Sequence, residues 1–265
     1  MIIGHSGCVV SIKDGILEKT NGDNYCANRL LNQAEKQILF RKNNSDDRIV
    51  IPEIIESIKK DSTAVIKMSY INALDIIEFL ESSEKDDLDF LISVLLDFIT
   101  LNIKNSVMKK IAFDVVQEKW DSVISKINFD TTIIEKKYDE FPKENLLLPI
   151  GPCHGDLSLS NVLIAGKEVV LIDFLTNFIE TPFADILKIR QDTRHNWSTF
   201  RCNRDHDKNK VNESLRYIDN IIVRKFENEV FWNHYNFMQF LNMVRIIPYS
   251  DMNTTQFIME QICQI

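Results

Sequence analysis

Two short apolar runs, Val162-Leu163-Ile164 and Val169-Val170-Leu171-Ile172, are joined by Ala165-Gly166-Lys167-Glu168, and this arrangement constrains the chain more than any other stretch of it. Short buried runs on either side of a glycine-containing turn predict a β-hairpin. A hairpin brings its two ends together. Asn161 at the entry and Asp173 at the exit, twelve residues apart, must then stand side by side. An amide oxygen and a carboxylate so placed suit Mg²⁺, a hard ion that takes one or two carboxylates and fills its other positions with phosphate oxygens and water. Five residues before Asn161 stands Asp156, in the loop His154-Gly155-Asp156-Leu157-Ser158-Leu159-Ser160-Asn161. From there its carboxylate would reach a substrate hydroxyl as a base, while His154 reads as a structural brace of the loop.

The pattern His154-x-Asp156 with Asn161 five residues on, followed by Ile172-Asp173-Phe174, resembles the catalytic and metal-binding segments of the protein-kinase-like fold. Its His-Gly-Asp-Leu opening resembles the aminoglycoside phosphotransferase and choline kinase branch, whose members phosphorylate small molecules. The resemblance implies an α+β, bilobal chain. Residues 1–68 would form a small β-rich N-terminal lobe with one helix, and residues 69–265 a larger helical C-terminal lobe with the catalytic loop and acceptor site. It implies ATP, with GTP as the alternative, and Mg²⁺ as cofactors, with Asp156 as catalytic base and Asn161 and Asp173 as the magnesium ligands. The implied reaction moves the γ-phosphoryl group to a hydroxyl of a small molecule, with a sugar or sugar-like alcohol as the first expectation. The alternatives are a choline, ethanolamine or aminoglycoside kinase, or an inactive nucleotide-binding module. The chain has no Ala-Pro-Glu triplet, and Ser158 replaces the lysine that protein-substrate kinases carry two residues past the base. Both departures favour the small-molecule branch. Leu175 follows Asp173-Phe174 where relatives often have glycine, which argues against a mobile regulatory loop.

Toward the N-terminus, Gly4-His5-Ser6-Gly7 lies between two strand-like runs and predicts a tight turn. In the family it resembles the loop that covers the phosphates, with Gly4, Ser6 and Gly7 against them. Asp14-Gly15 predicts a second hairpin turn. Lys19, on the strand after it, takes the place of the family's phosphate-binding lysine, with Lys13 as the fallback. From Ala27 to Phe40, residues Leu30, Leu31, Ala34, Ile38 and Leu39 are spaced for one apolar helical face. Glu35 lies on that helix, sixteen residues beyond Lys19, where relatives carry the glutamate that pairs with the lysine. The run Ile49 to Ile55 reads as a strand interrupted by Pro52. After the strand Ala64 to Met68 comes the expected hinge, where a nucleotide base would hydrogen-bond to backbone between Met68 and Tyr70.

Beyond the hinge, Leu88, Leu91, Ile92, Leu95, Leu96, Ile99 and Ile103 predict a long amphipathic helix, and Val116, Trp120, Val123 and Ile127 another. Asp185, in Pro182-Phe183-Ala184-Asp185, reads as a scaffold residue that caps a helix near the catalytic loop. The polar residues Asp192, Arg194, His195 and Trp197 follow in the region that shapes the acceptor pocket of relatives, and with Ser158 they are the candidate acceptor contacts. A solvated helix end is the alternative for that cluster. The stretch Arg201 to Asn212 reads as an exposed loop.

Composition narrows the partners. The 265 residues carry a net charge of -8, which argues against a nucleic-acid or anionic-membrane surface, since phosphate contacts need clustered Lys and Arg. Five scattered cysteines without a C-x-x-C spacing suit a reducing compartment. No leader pattern and no apolar run long enough to span a membrane is present, so the expected location is cytoplasmic and the expected partner a small-molecule acceptor. Nothing in the sequence points to an oligomeric state.

Overall fold

In the computed structural model, residues 2–3, 8–21 and 24–265 are described. The expected turn residues Gly4, Ser6 and Gly7 lie outside them. Two compact units are seen, one made of Met1–Leu95, His154–Asn177 and Cys202–Val211, the other of Leu96–Cys153, Phe178–Arg201 and Asn212–Ile265.

The first unit is built on an antiparallel sheet of β1 (Ile2–Ile3), β2 (Val9–Lys13), β3 (Ile16–Asn21), β5 (Ile54–Lys60) and β6 (Thr63–Ser69), in the order β1-β2-β3-β6-β5. The Asp14-Gly15 turn closes β2 on β3, with both residues at positive φ (51° and 75°), the two-residue geometry this dipeptide favours. Helix α1 (Asn24–Asn43) buries Ala27, Leu30 and Ala34 against Cys8, Ala64, Ile66 and Met68. The face differs from the one read off the apolar spacing. Ile38 and Leu39 are exposed, and Gln37 is buried in their stead, its amide donating to the Pro52 carbonyl at 2.8 Å. A buried carbonyl needs a donor, and this requirement outweighs the apolar count.

Pro52 also marks a change of sheet. The run read as one interrupted strand is two: β4 (Ile49–Val50) ends before it, and β5 begins beyond it in the other sheet. Strand β4 lies parallel to β10 (Glu168–Leu171), which pairs antiparallel with β9 (Val162–Ala165) as the expected hairpin, Gly166 at the turn having φ 64°. Beyond β6, Leu74 exchanges backbone hydrogen bonds with Ile164 of β9 (2.9 and 3.0 Å). Helix α2 (Ile76–Ser82) then starts with a capping box of Asp75 and Glu78. Helix α3 (Lys85–Lys104) follows. The stretch expected as an exposed loop is tied down: Arg204 pairs with Glu81 at 2.7 Å, and Glu81 also accepts from the Asp207 amide at 2.8 Å.

The second unit is mainly helical, with α4 (Phe113–Ile124), α5 (Thr132–Asp139), α6 (Pro182–Thr193), α7 (Trp197–Arg201), α8 (Lys208–Phe226), α9 (Tyr235–Val244) and α10 (Met252–Ile262). It also holds a two-stranded sheet absent from the sequence reading, β7 (Val107–Ile111) with β8 (Leu146–Ile150). Its core centres on Trp120 stacked on Tyr138 at 3.9 Å, with Phe237 and Phe240 alongside. None of the five cysteines is in a disulfide. Among the described residues no helix is long and apolar enough to cross a membrane.

Candidate active site

The hairpin positions the first two groups. Its ladder runs Leu171 to Val162 and is extended by a hydrogen bond from the Ile172 amide to the Asn161 carbonyl at 3.1 Å, so Asn161 and Asp173 flank one end of the same pair of strands. Asn161 donates from its side-chain amide to the Asp156 carbonyl at 2.7 Å. This bond ties the Asn161 side chain to the Asp156 backbone. The Asp156 carbonyl accepts from the Ser158 amide as well, at 2.8 Å, and the Asp156 amide donates to His154 Nδ1 at 3.2 Å. The loop is thus held by its backbone, with Leu157 and Leu159 buried beneath it.

Lys19 arrives from β3, whose alternation puts Leu17, Lys19 and Asn21 on one face. Its side chain is 7% exposed, and its ammonium donates to an Asp173 oxygen at 2.9 Å, whereas Lys13 is exposed on β2. The Asp173 side chain is 40% exposed, so the pair opens to solvent on the carboxylate side. Asp173 has φ 61°. That left-handed conformation is costly for a residue with a Cβ and clusters at functional sites.

His154 is completely buried, 4.2 Å from the Phe174 ring. Burial pushes its pKa down to about 4, outweighing the upward pull of the Asp156 carboxylate. A neutral ring that accepts from the Asp156 amide is a brace and carries no charge at neutral pH. Its neighbour Gly155 has φ 86°, and a Cβ there would lie 1.8 Å from the Leu175 carbonyl oxygen. The sequence reading gave Gly155 no role, although a glycine between the two motif residues was the available signal.

Several expected residues are placed elsewhere. Glu35 is exposed on α1, and no hydrogen bond or ion pair joins it to Lys19, whose ammonium is taken by Asp173. At the expected hinge, Met68 is buried in β6, while the Tyr70 amide is already spent on the Gly15 carbonyl at 2.9 Å and the Ser69 amide on the Glu53 carbonyl. Ser158 is buried with its hydroxyl 2.9 Å from that of Ser160. Asp185 does not cap α6. Thr181 does, accepting from the Phe183 amide at 3.2 Å, and Asp185 lies buried within the helix.

Most side chains of the expected acceptor cluster have partners within the fold. Asp192 is buried and accepts from the amide and hydroxyl of Ser198 at 2.7 and 2.5 Å, closing the start of α7. Trp197 packs on Phe257 and Phe200, and Arg194 alone of the group is exposed. His195 is buried with Nδ1 3.2 Å from Gln261 Oε1. Burial lowers its pKa to about 4. Unfolding raises it to about 6.5, so the unfolded state binds a proton in the window between these values and the folded state does not. Stability is therefore intact above about pH 6.5 and falls as pH drops toward 4, by about 2 kcal/mol at pH 5 from this residue. Denaturant titrations at neutral pH and near pH 5 check this, since His195→Gln is expected to remove that share of the acid sensitivity.

The donor set fits magnesium. One carboxylate oxygen and one amide oxygen at the hairpin end match an ion that leaves its other positions to phosphates and water. Among the described residues no group of three or more His, Cys, Asp or Glu could hold a metal alone, the Asp205-His206-Asp207 run included.

Neither the protein-family models nor the curated proteins include a match to this sequence. Solved structures do match. A thermostable mutant of the aminoglycoside phosphotransferase APH(4)-Ia, in ternary complex with ADP and hygromycin B, superposes with a TM-score of 0.60 at 8% identity, over 97% of this chain and 92% of that one. Another mutant of it, complexed with AMP-PNP and hygromycin B, gives 0.57 at 8% identity with the same coverage. An aminoglycoside-3'-phosphotransferase of type VIII gives 0.53 at 14% identity, over 89% of this chain and 93% of that one.

Proposed function

We propose, for a chain that has the α+β, kinase-like fold of the aminoglycoside phosphotransferases, that it transfers the γ-phosphoryl group of ATP to a hydroxyl of a small molecule. The observation that carries this reading is the single constellation of Lys19, Asp156, Asn161 and Asp173, joined by the Lys19–Asp173 ion pair and the Asn161–Asp156 hydrogen bond. Asp156 is the base that accepts the hydroxyl proton, held by its backbone so that its carboxylate is presented from a fixed loop. Lys19 binds phosphate oxygens as a point charge, exchanging Asp173 for the nucleotide. Asn161 and Asp173 hold Mg²⁺, which when bound neutralises charge on the phosphates being parted. Residues 1–68 are assigned to nucleotide binding and 69–265 to the catalytic loop and acceptor site. Five cysteines outside any disulfide agree with a cytoplasmic setting.

For the acceptor, a sugar-like alcohol is the first reading. An aminoglycoside is the second, favoured by the solved structures and by a net charge of -8, which suits a polycationic substrate. ADP release with a panel of sugars, aminoglycosides and choline tests the proposal. The expected result is turnover that requires both Mg²⁺ and one acceptor class. Nucleotide binding without turnover for any acceptor would assign an inactive binding module instead.

A further inference from the structure

Helix α1 meets the Asp173 turn through side chains that the family resemblance does not single out. Lys36 donates from Nζ to the Leu175 carbonyl at 2.7 Å. One turn on, the Phe40 ring lies 4.9 Å from that of Phe174, which is fully buried. Successive helical residues differ by about 100° around the axis, so the flank that aims Lys36 and Phe40 at this turn leaves Glu35 in solvent. The Leu175 backbone is also gripped from the catalytic loop. Its amide donates to the His154 carbonyl at 2.9 Å, and its oxygen sits against Gly155 where a Cβ would have stood. Two residues earlier, Asp173 is held at φ 61°, a conformation that persists in a non-glycine residue only where its surroundings impose it.

We infer that Lys36 is a positioning residue for Asp173: by fixing the Leu175 carbonyl it holds the Asp173-Phe174-Leu175 turn in the left-handed conformation that presents the carboxylate. Helix α1 thus serves this turn through a cation acting on backbone, one residue beyond the glutamate expected to pair with Lys19. This role rests on the proposed reading of Asp173 as a cation ligand, but the anchor itself does not.

Two readouts on the full chain separate these. In nucleotide-free protein, amide hydrogen exchange at Leu175 is expected to quicken in Lys36→Met and to stay at the wild-type rate in Glu35→Ala. With AMP-PNP present, Mn²⁺ affinity measured by electron paramagnetic resonance is expected to weaken about tenfold in Lys36→Met, as for the loss of an outer-sphere partner. Lys36→Arg, which retains a charged donor, should recover most of that affinity, and Lys36→Gln serves if the methionine variant does not fold. Unchanged Leu175 exchange in Lys36→Met, or a loss of Mn²⁺ affinity in Glu35→Ala equal to that in Lys36→Met, overturns the inference. Wild-type protein that binds no Mn²⁺ with AMP-PNP would instead count against the proposed function, and the exchange comparison would still decide the anchor.

Discussion

Asp156→Asn is expected to lower turnover by about three orders of magnitude while leaving nucleotide affinity close to wild type. The size follows from the role, since a positioned general base contributes roughly 10²- to 10⁴-fold. The selectivity follows from the loop. Asp156 supports its surroundings through its backbone, the amide donating to His154 and the carbonyl accepting from Ser158 and from the Asn161 side chain. An asparagine of the same shape keeps all three of these backbone bonds and removes the proton acceptor. The measurement is a pair of values, kcat with saturating acceptor and the dissociation constant of AMP-PNP with Mg²⁺. A fall in kcat of less than tenfold would take the base assignment away from Asp156. Equal losses in kcat and in nucleotide affinity would mean that its carboxylate serves binding instead.

The parts of this site that the sequence discloses are those fixed by local chain geometry. A glycine turn between two apolar runs admits one pairing, so the side-by-side placement of Asn161 and Asp173 follows from spacing alone, and the Asp14-Gly15 hairpin that delivers Lys19 follows in the same way. What is not legible depends on contacts between distant segments. The register of α1 is one case. Its apolar residues outnumber the buried ones, and the buried face takes in Gln37, which donates to the Pro52 carbonyl, while Glu35 faces outward. The pairing of β7 with β8 is another, because most of β7 is exposed and lacks the alternation that would mark a half-buried strand.

Polar residues mislead for a related reason. Asp192 and His195 follow the hairpin in a run of hydrogen-bonding side chains, which reads as a binding surface. In the folded chain Asp192 is taken by the start of α7 and His195 faces Gln261, and burial keeps His195 neutral. Sequence gives the chemistry of a side chain but not whether a buried partner has already claimed it.

Gly155 shows how a residue with no side chain governs the same centre, and Gly155→Ala is expected to be among the most destabilising single changes in the chain. Two costs add. At φ 86° an alanine stands in a left-handed conformation worth roughly 1–2 kcal/mol of strain. Its Cβ would also fall 1.8 Å from the Leu175 carbonyl oxygen, a backbone atom held by Lys36 that cannot rotate out of the way as a side-chain tip would. Relieving the overlap means displacing the turn that carries Asp173, so the total should reach about 3–5 kcal/mol, the range of severe overpacking combined with backbone strain. Gly166 supplies the control. It too has positive φ, at 64°, but nothing lies within 4 Å of a Cβ built there, so Gly166→Ala should incur the conformational cost alone, about 1 kcal/mol. Denaturant unfolding of the two variants isolates the steric part as their difference, and Mg²⁺-dependent nucleotide binding should be lost in Gly155→Ala while surviving in Gly166→Ala. If both variants unfold at the same denaturant concentration, the Leu175 carbonyl is not clamped against Gly155, and the rigid attachment of Asp173 to the catalytic loop fails with it.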